Sequence, residues 1–193
     1  MIVSQAVCPT LIFHFIFSIF NLIKTEMFKI TEKNYKRIIQ FFKERNFACN
    51  ALKFCYRFLP LLLFIGYPAL IAYVFFSNPV DLFKIILVPL GVFLLVTILR
   101  KAINEQRPYE KYNTPSLFGK TTKGQSMPSR HTASAFIISL AVLYVNAELG
   151  IAALSVSFLI TLSRVLSGVH FIRDVVAAML LSVTVGIIFF FLI

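Results

Sequence analysis

A chain of 193 residues with 59% hydrophobic and 14% charged side chains is too apolar for a soluble domain, which carries about 45–50% apolar and about 25% charged residues. It describes one domain that lives in a bilayer, and 22 Phe with no Trp, 7 Gly and 8 Pro exclude collagen-like and disordered low-complexity classes. The net charge of +11, from 19 Lys and Arg against 8 Asp and Glu, calls for an anionic partner. No base-reading fold is legible, so that partner is a lipid headgroup, the membrane surface or a phosphorylated substrate, and not nucleic acid.

Residues 1–26 form an apolar N-terminal segment. Val7 to Ile23 has no basic residue ahead of it and makes a poor signal peptide; it reads either as an extra span or as sequence upstream of a start at Met27. Residues 27–57 form a basic segment. Lys24 to Arg57 holds nine Lys and Arg, and Tyr35, Ile38, Ile39 and Phe42 fall at i, i+3, i+4, i+7, an amphipathic helix suited to the membrane surface or to a solvated connector. Cys8, Cys49 and Cys55 are odd in number without metal-ligand spacing, and read as ordinary apolar residues.

Residues 58–193 are the membrane domain. A hydrocarbon core of about 30 Å needs roughly 20 helical residues, and five stretches qualify: Phe58 to Phe76, Phe83 to Leu99, Thr132 to Val145, Leu149 to Leu162 and Val175 to Ile193. The third and fourth are short. The predicted fold is all-α, a polytopic membrane bundle of five or six transmembrane helices with an N-terminal amphipathic helix. The only long polar interval, Arg100 to Arg130, carries Pro108, Pro115, Gly119, Gly124 and Pro128, which forbid one continuous helix.

Each span reverses side, so the end of the second, the start of the third, the end of the fourth and the start of the fifth share one membrane face. Those ends hold Arg100, Arg107, Ser129, Arg130, His131, Ser163, Arg164, His170, Arg173 and Asp174. The opposite turns, Ser77 to Leu82 and Asn146 to Glu148, contain no Lys, Arg or His. Charged groups at the hydrocarbon boundary cost free energy and mark function; snorkelling accounts for single arginines but not for two of the chain's three histidines.

His170 and Asp174, four apart, share a helix face, and a carboxylate there fixes the imidazole tautomer and leaves the other nitrogen poised as nucleophile or base. Converging guanidinium forks match the oxygens of a tetrahedral dianion, a demand met by Arg100, Arg107 and Arg164. Ser129 adds a neutral donor, and His131 can protonate a departing oxygen. Two histidines and one aspartate among three arginines would repel a divalent ion, so no metal is expected.

These residues resemble the type 2 phosphatidic acid phosphatases, whose site is related to those of bacterial acid phosphatases and vanadium haloperoxidases. The family's Lys-x6-Arg-Pro is matched by Arg100, KAINEQ, Arg107-Pro108. Its Pro-Ser-Gly-His is matched by Pro128-Ser129-Arg130-His131, and its Ser-Arg-x5-His-x3-Asp stands unaltered as Ser163-Arg164, VLSGV, His170, FIR, Asp174. The resemblance implies an integral membrane lipid phosphate phosphatase acting on phosphatidate, phosphatidylglycerol phosphate or a polyprenyl diphosphate, without cofactor or metal. It implies that His170 attacks phosphorus to form a phosphohistidine, Asp174 orients it and His131 protonates the leaving group, while Arg100, Arg107, Ser129, Arg130 and Arg164 bind phosphate. Two residues depart from the pattern: Arg100 replaces Lys, with Lys101 one residue out of register, and Arg130 replaces Gly, where its side chain narrows the site or binds a second phosphate.

Two other functions use the same residues: vanadate-dependent halide oxidation, which burial in a membrane disfavours, and a non-catalytic module that only binds lipid headgroups. The resemblance places the site on the extracytoplasmic face of the cell membrane, whereas the basic residues before Phe58 favour the cytoplasm by the positive-inside rule. Oligomeric state leaves no mark on the sequence.

Overall fold

The computed structural model describes residues 30–193; the expectations for the segment 1–26, Cys8 included, lie outside them. Among the described residues there are helices and no strand. The order is α1 (Glu32–Glu44), α2 (Asn46–Ser77), a 3-10 turn (Pro79–Asp81), α3 (Leu82–Ile103), a long loop holding the one-turn helix Pro108–Lys111, α4 (Arg130–Val145), α5 (Ala147–Leu166) and α6 (Ile172–Gly186), which runs on as a π-helical turn to Leu192. Four helical stretches are long and apolar enough to cross a membrane: Asn46–Ser77, Pro79–Lys111, Ala147–Leu166 and Ile172–Leu192. Arg130–Val145 is apolar but shorter.

The predicted basic segment does not form one element. The chain breaks at Arg45, which is extended (φ −121°), and α2 starts at Asn46, three turns ahead of the apolar run from Phe58. Its 32 residues span about 48 Å at 1.5 Å per residue, against about 30 Å of hydrocarbon. The excess falls at the N-terminal third, where Asn46, Asn50, Lys53 and Arg57 interrupt an otherwise apolar sequence.

Thr31 caps α1 through its Oγ1, which accepts from Asn34 N. The stripe expected on a membrane surface is partly spent on protein. Tyr35 and Ile39 are buried with Tyr109 and pack against Tyr112 and Leu117, and Tyr35 Oη donates to Thr114 O and Gly168 O. Gly168 is left-handed (φ +75°), and a Cβ there would sit 2.7 Å from the Tyr35 ring. Helix α1 thus lies over two loops that converge from distant parts of the chain.

Helix α4 is the centre of the bundle, packed against α2, α3, α5 and α6, with every residue from Thr132 to Ala141 buried. Its shortness follows from that position, since a helix enclosed by protein need not present a full lipid-facing length. Small residues bring the neighbours close, and hydroxyls bond across the gaps: Ser139 Oγ to Ser157 Oγ at 2.8 Å, and Ser182 Oγ to Ala133 O at 3.0 Å.

The prolines inside α2 and α3 each deprive the carbonyl four residues earlier of its helical donor. Two of those carbonyls are taken up by side chains. Ile85 O, freed by Pro89, accepts from Tyr67 Oη at 2.7 Å, which ties α3 to α2. Tyr56 O, freed by Pro60, accepts from Arg164 Nη2 at 2.9 Å.

Candidate active site

The eight residues expected at the site come together where α3 and α5 end and α4 and α6 begin. Arg100, in the last turn of α3, is buried and donates from Nη1 to Pro128 O at 2.8 Å. Its neighbour Lys101 is exposed, so Arg100 itself occupies the interior register. Arg107, also buried, donates from Nε to Gly124 O at 3.1 Å. Glu110 Oε2 accepts from Gly124 N at 2.9 Å and from Arg107 N at 3.4 Å, locking both partners of that contact. Gly124 is left-handed (φ +62°), and a Cβ would lie 2.6 Å from Asn104 Oδ1, so this position needs glycine.

Ser129, fully buried, precedes α4 and donates its N–H to Asp174 O at 3.0 Å, while its Oγ accepts from Thr132 Oγ1. Arg130 and His131 open α4 and are exposed. Arg164 is buried in the last turn of α5, bonded to Tyr56 O and stacked 4.1 Å over the Tyr56 ring. The Nε atoms of Arg100 and Arg164 are buried with no partner in the protein. Buried charged donors without acceptors are costly, and an oxyanion is the kind of acceptor each of them lacks.

His170 lies in the turn between α5 and α6, and Asp174 sits at the third position of α6, fully buried. Asp174 Oδ2 reaches back to accept Phe171 N at 3.0 Å, as a helix-capping carboxylate does. His170 Nδ1 is 3.5 Å from the same oxygen, the long edge of a hydrogen bond. Ser126 fills the shortfall. Its Oγ donates to Asp174 Oδ2 at 2.5 Å and stands 3.4 Å from His170 Nδ1. An Nδ1–H then has two acceptors, which leaves the lone pair on Nε2.

The charges acting on the two histidines differ. At His170 they are Asp174, Arg107 and Arg100; at His131 they are Arg164, His170, Arg130 and Lys120. Burial, opposed by Asp174 and aided by Arg107 and Arg100, pushes His170 down to about 4. The imidazole is therefore neutral at neutral pH, as a nucleophile requires. Burial also lowers the Lys120 ammonium, with Arg107, Arg164, Arg130 and Arg100 adding to the effect.

Three contributors, Ser126, Tyr56 and Lys120, were not legible in the sequence, and for a fourth, Arg173, its place at a span end was legible but its partners were not. Ser126 carries no spacing signal toward His170 and lies 44 residues from it. Arg173 pairs with Glu105 and places its Nε 3.7 Å from Asp174 Oδ1, an oxygen with no hydrogen bond of its own. Tyr56 comes from a helix outside all three motifs; the only clue was Pro60 four residues on. Lys120 sits in the long loop, where a lysine is unremarkable. Among the described residues no group of three or more His, Cys, Asp or Glu gathers in a metal-binding cluster.

A helical bundle with spans long and apolar enough for a membrane, gathering buried arginines and two imidazoles at one end, has the donor set that suits an anionic substrate. The PAP2 superfamily profile matches residues 81–193, and the chain belongs to that superfamily. It is 30% identical over 86 residues to undecaprenyl-diphosphatase BcrC of Bacillus subtilis (strain 168), covering 45% of this chain and 44% of that protein; the chain thus matches less than half the length of that relative. The fold is similar to the transmembrane PAP2 type phosphatidylglycerolphosphate phosphatase of Bacillus subtilis, with a TM-score of 0.65 and 21% identity over 95% of this chain and 92% of the other. It is also similar to Aquifex aeolicus LpxE, with a TM-score of 0.58 and 23% identity over 89% and 92% of the two chains.

Proposed function

We propose that this protein is an integral membrane lipid phosphate phosphatase that works without metal through a phosphohistidine. The observation that carries this is the buried His170 with Ser126 Oγ 3.4 Å and Asp174 Oδ2 3.5 Å from its Nδ1, at the end of the bundle where Arg100 and Arg107 are buried. His170 Nε2 attacks phosphorus and the ester P–O bond breaks toward the leaving oxygen, which takes a proton from His131. Water, deprotonated by His131, then attacks phosphorus; the N–P bond breaks and inorganic phosphate leaves. Arg100, Arg107, Arg164 and the donors of Ser129 hold the phosphoryl oxygens as charge builds on them.

The substrate is an amphiphile entering from the bilayer. The site lies at headgroup depth, where α3 and α5 end, and the same bundle that positions it presents an apolar exterior to lipid. Five helices cross the cell membrane in this reading, α4 among them, with the site on the extracytoplasmic face as in the family. Helix α1 rides on that face, half seated on the loops and half on the membrane surface.

The test is phosphate release from a short-chain phosphatidate by the purified protein in detergent with excess chelator. Release is expected in the wild type, unaffected by the chelator, inhibited by vanadate, and absent in His170→Ala at retained helical content. A His170→Ala protein that still released phosphate, or wild-type activity abolished by chelation, would overturn the mechanism.

A further inference from the structure

Asp174 has to present one oxygen to His170 and keep it there. The torsion that turns an aspartate carboxylate about its Cβ–Cγ bond is broad and roughly two-fold, so the plane of this carboxylate is set by what touches it. Its two oxygens meet different neighbours. Oδ2 takes the Ser126 hydroxyl, the Phe171 N–H and the 3.5 Å approach of His170 Nδ1. Oδ1 faces the Arg173 guanidinium, with Nε at 3.7 Å.

Ser126 lies in the long loop and Arg173 is the second residue of α6, yet one residue grips both. Glu105 O accepts from Ser126 N at 2.8 Å, and Glu105 Oε1 accepts from Arg173 Nη2. The guanidinium also rests on the Phe171 ring, 5.2 Å from Cζ to the centroid. Arg173 is buried and Glu105 is about one-third exposed, so this is not one of the fully solvated pairs that contribute almost nothing.

Glu105 owes its place to the way α3 ends. Asn104 terminates that helix in the left-handed region (φ +44°), with its N–H on Arg100 O at 3.0 Å, and the chain leaving it sets Glu105 against the start of α6. Glu105 therefore falls within the spacer between Arg100 and Arg107, where the first motif specifies no residue type. The short segment that carries two arginines of the proposed phosphate site also holds the support of the proposed nucleophile.

Resting on the phosphatase mechanism above, we propose that Glu105 is a positioning residue: by fixing Arg173 against Asp174 Oδ1 and Ser126 against Oδ2, it holds the carboxylate in the plane that orients His170. Removing its side chain leaves the backbone hold on Ser126 intact but releases the guanidinium. Arg173 is then free to close on Oδ1 and turn the carboxylate away from the imidazole. Glu105 touches no substrate, so its loss lowers turnover and leaves substrate binding alone.

The test is kcat and KM for phosphate release from a short-chain phosphatidate, measured on the full chain in detergent with the unfolding temperature of each variant. Glu105→Ala is expected to lower kcat about 10- to 100-fold, the scale of one hydrogen bond to a charged group, with KM within about threefold. Glu105→Gln keeps an acceptor for the guanidinium and is expected to retain more of kcat. Arg173→Gln is expected to fall comparably, and the Glu105→Ala/Arg173→Gln double variant no further than the worse single, because both act through one carboxylate. A second reading needs no turnover. The chain has three histidines, and with ¹⁵N-labelled histidine Glu105→Ala is expected to move His170 from the Nδ1–H tautomer toward a mixture of tautomers.

An ion pair that only supports the fold would lower the unfolding temperature while kcat of the folded protein and the His170 tautomer stayed as in the wild type. That result, or a Glu105→Ala kcat within about threefold of an active wild type, would overturn the positioning role and leave the phosphatase mechanism standing. If Glu105→Ala does not fold, Arg173→Gln decides in its place by the same threefold limit. A wild type that releases no phosphate would overturn the phosphatase mechanism itself.

Discussion

Ser126 offers the sharpest probe of how the site is held. Its hydroxyl is wholly buried and donates to Asp174 Oδ2 at 2.5 Å, while the carboxylate's direct approach to His170 is 3.5 Å. Ser126→Ala leaves Oδ2 with the Phe171 N–H and the long 3.5 Å approach of His170 Nδ1, and Oδ1 has no hydrogen bond to compensate. A buried hydrogen bond to a charged group is worth about 1.5–3 kcal/mol, which at about 1.4 kcal/mol per decade corresponds to about 10- to 150-fold in rate. We expect kcat for phosphate release from a short-chain phosphatidate to fall within that range with KM changed little, because Ser126 touches the nucleophile's support and not the phosphate. The pH profile gives a second reading with a definite sign. Without the serine donor, the Asp174 carboxylate stabilises the His170 imidazolium more strongly, so the acid limb is expected to move up relative to that of the wild type. A Ser126→Ala enzyme with kcat within about twofold of wild type and an unmoved acid limb would refute this role.

Three further outcomes are expected. Asp174→Asn should lower kcat by roughly 10²–10⁴, the scale seen when an orienting carboxylate is lost, with KM nearly unchanged; a loss expressed mainly in KM would reassign Asp174 to substrate binding. The acid limb of kcat/KM, corrected for the substrate's own second ionisation near 6, should fall near pH 4, because protonation below that value removes the His170 lone pair; a limb near the unperturbed 6.5 would show that another group controls it. Cysteines introduced at Lys120 and at Asn146 should react oppositely with an impermeant thiol reagent applied outside intact cells, Lys120 labelling if the site faces outward, and labelling at Asn146 alone would place the site in the cytoplasm.

The spans were readable because lipid imposes a strong rule, and apolar runs such as Phe83 to Leu99 map onto α3 with one residue added before and four after. The start of α2 was not readable, since Asn46, Asn50, Lys53 and Arg57 break the apolar run and its helix is continuous with the span behind it. The stripe on α1 was visible, but its destination was not: periodicity marks Tyr35 and Ile39 as one face without saying whether lipid or the loop around Tyr109 covers it. At the site, the three motifs mark residues that parity carries to one end of the bundle. Ser126, Tyr56 and the Glu105 to Arg173 pair act through contacts of 44 to 108 residues' separation, and no local pattern encodes such a pairing.

Pro60 shows what a helix defect can accomplish. By withholding an amide it leaves the Tyr56 carbonyl for Arg164 Nη2, and the ring of the same residue lies against the guanidinium plane. Tyr56 stands outside residues 81–193, the stretch that matches the superfamily. One of the arginines of the proposed phosphate site is therefore held from outside the stretch that the superfamily profile matches, by a socket that the neighbouring helix supplies. A residue with an amide at position 60 would return the Tyr56 carbonyl to the helical ladder and leave the Arg164 guanidinium with the ring alone.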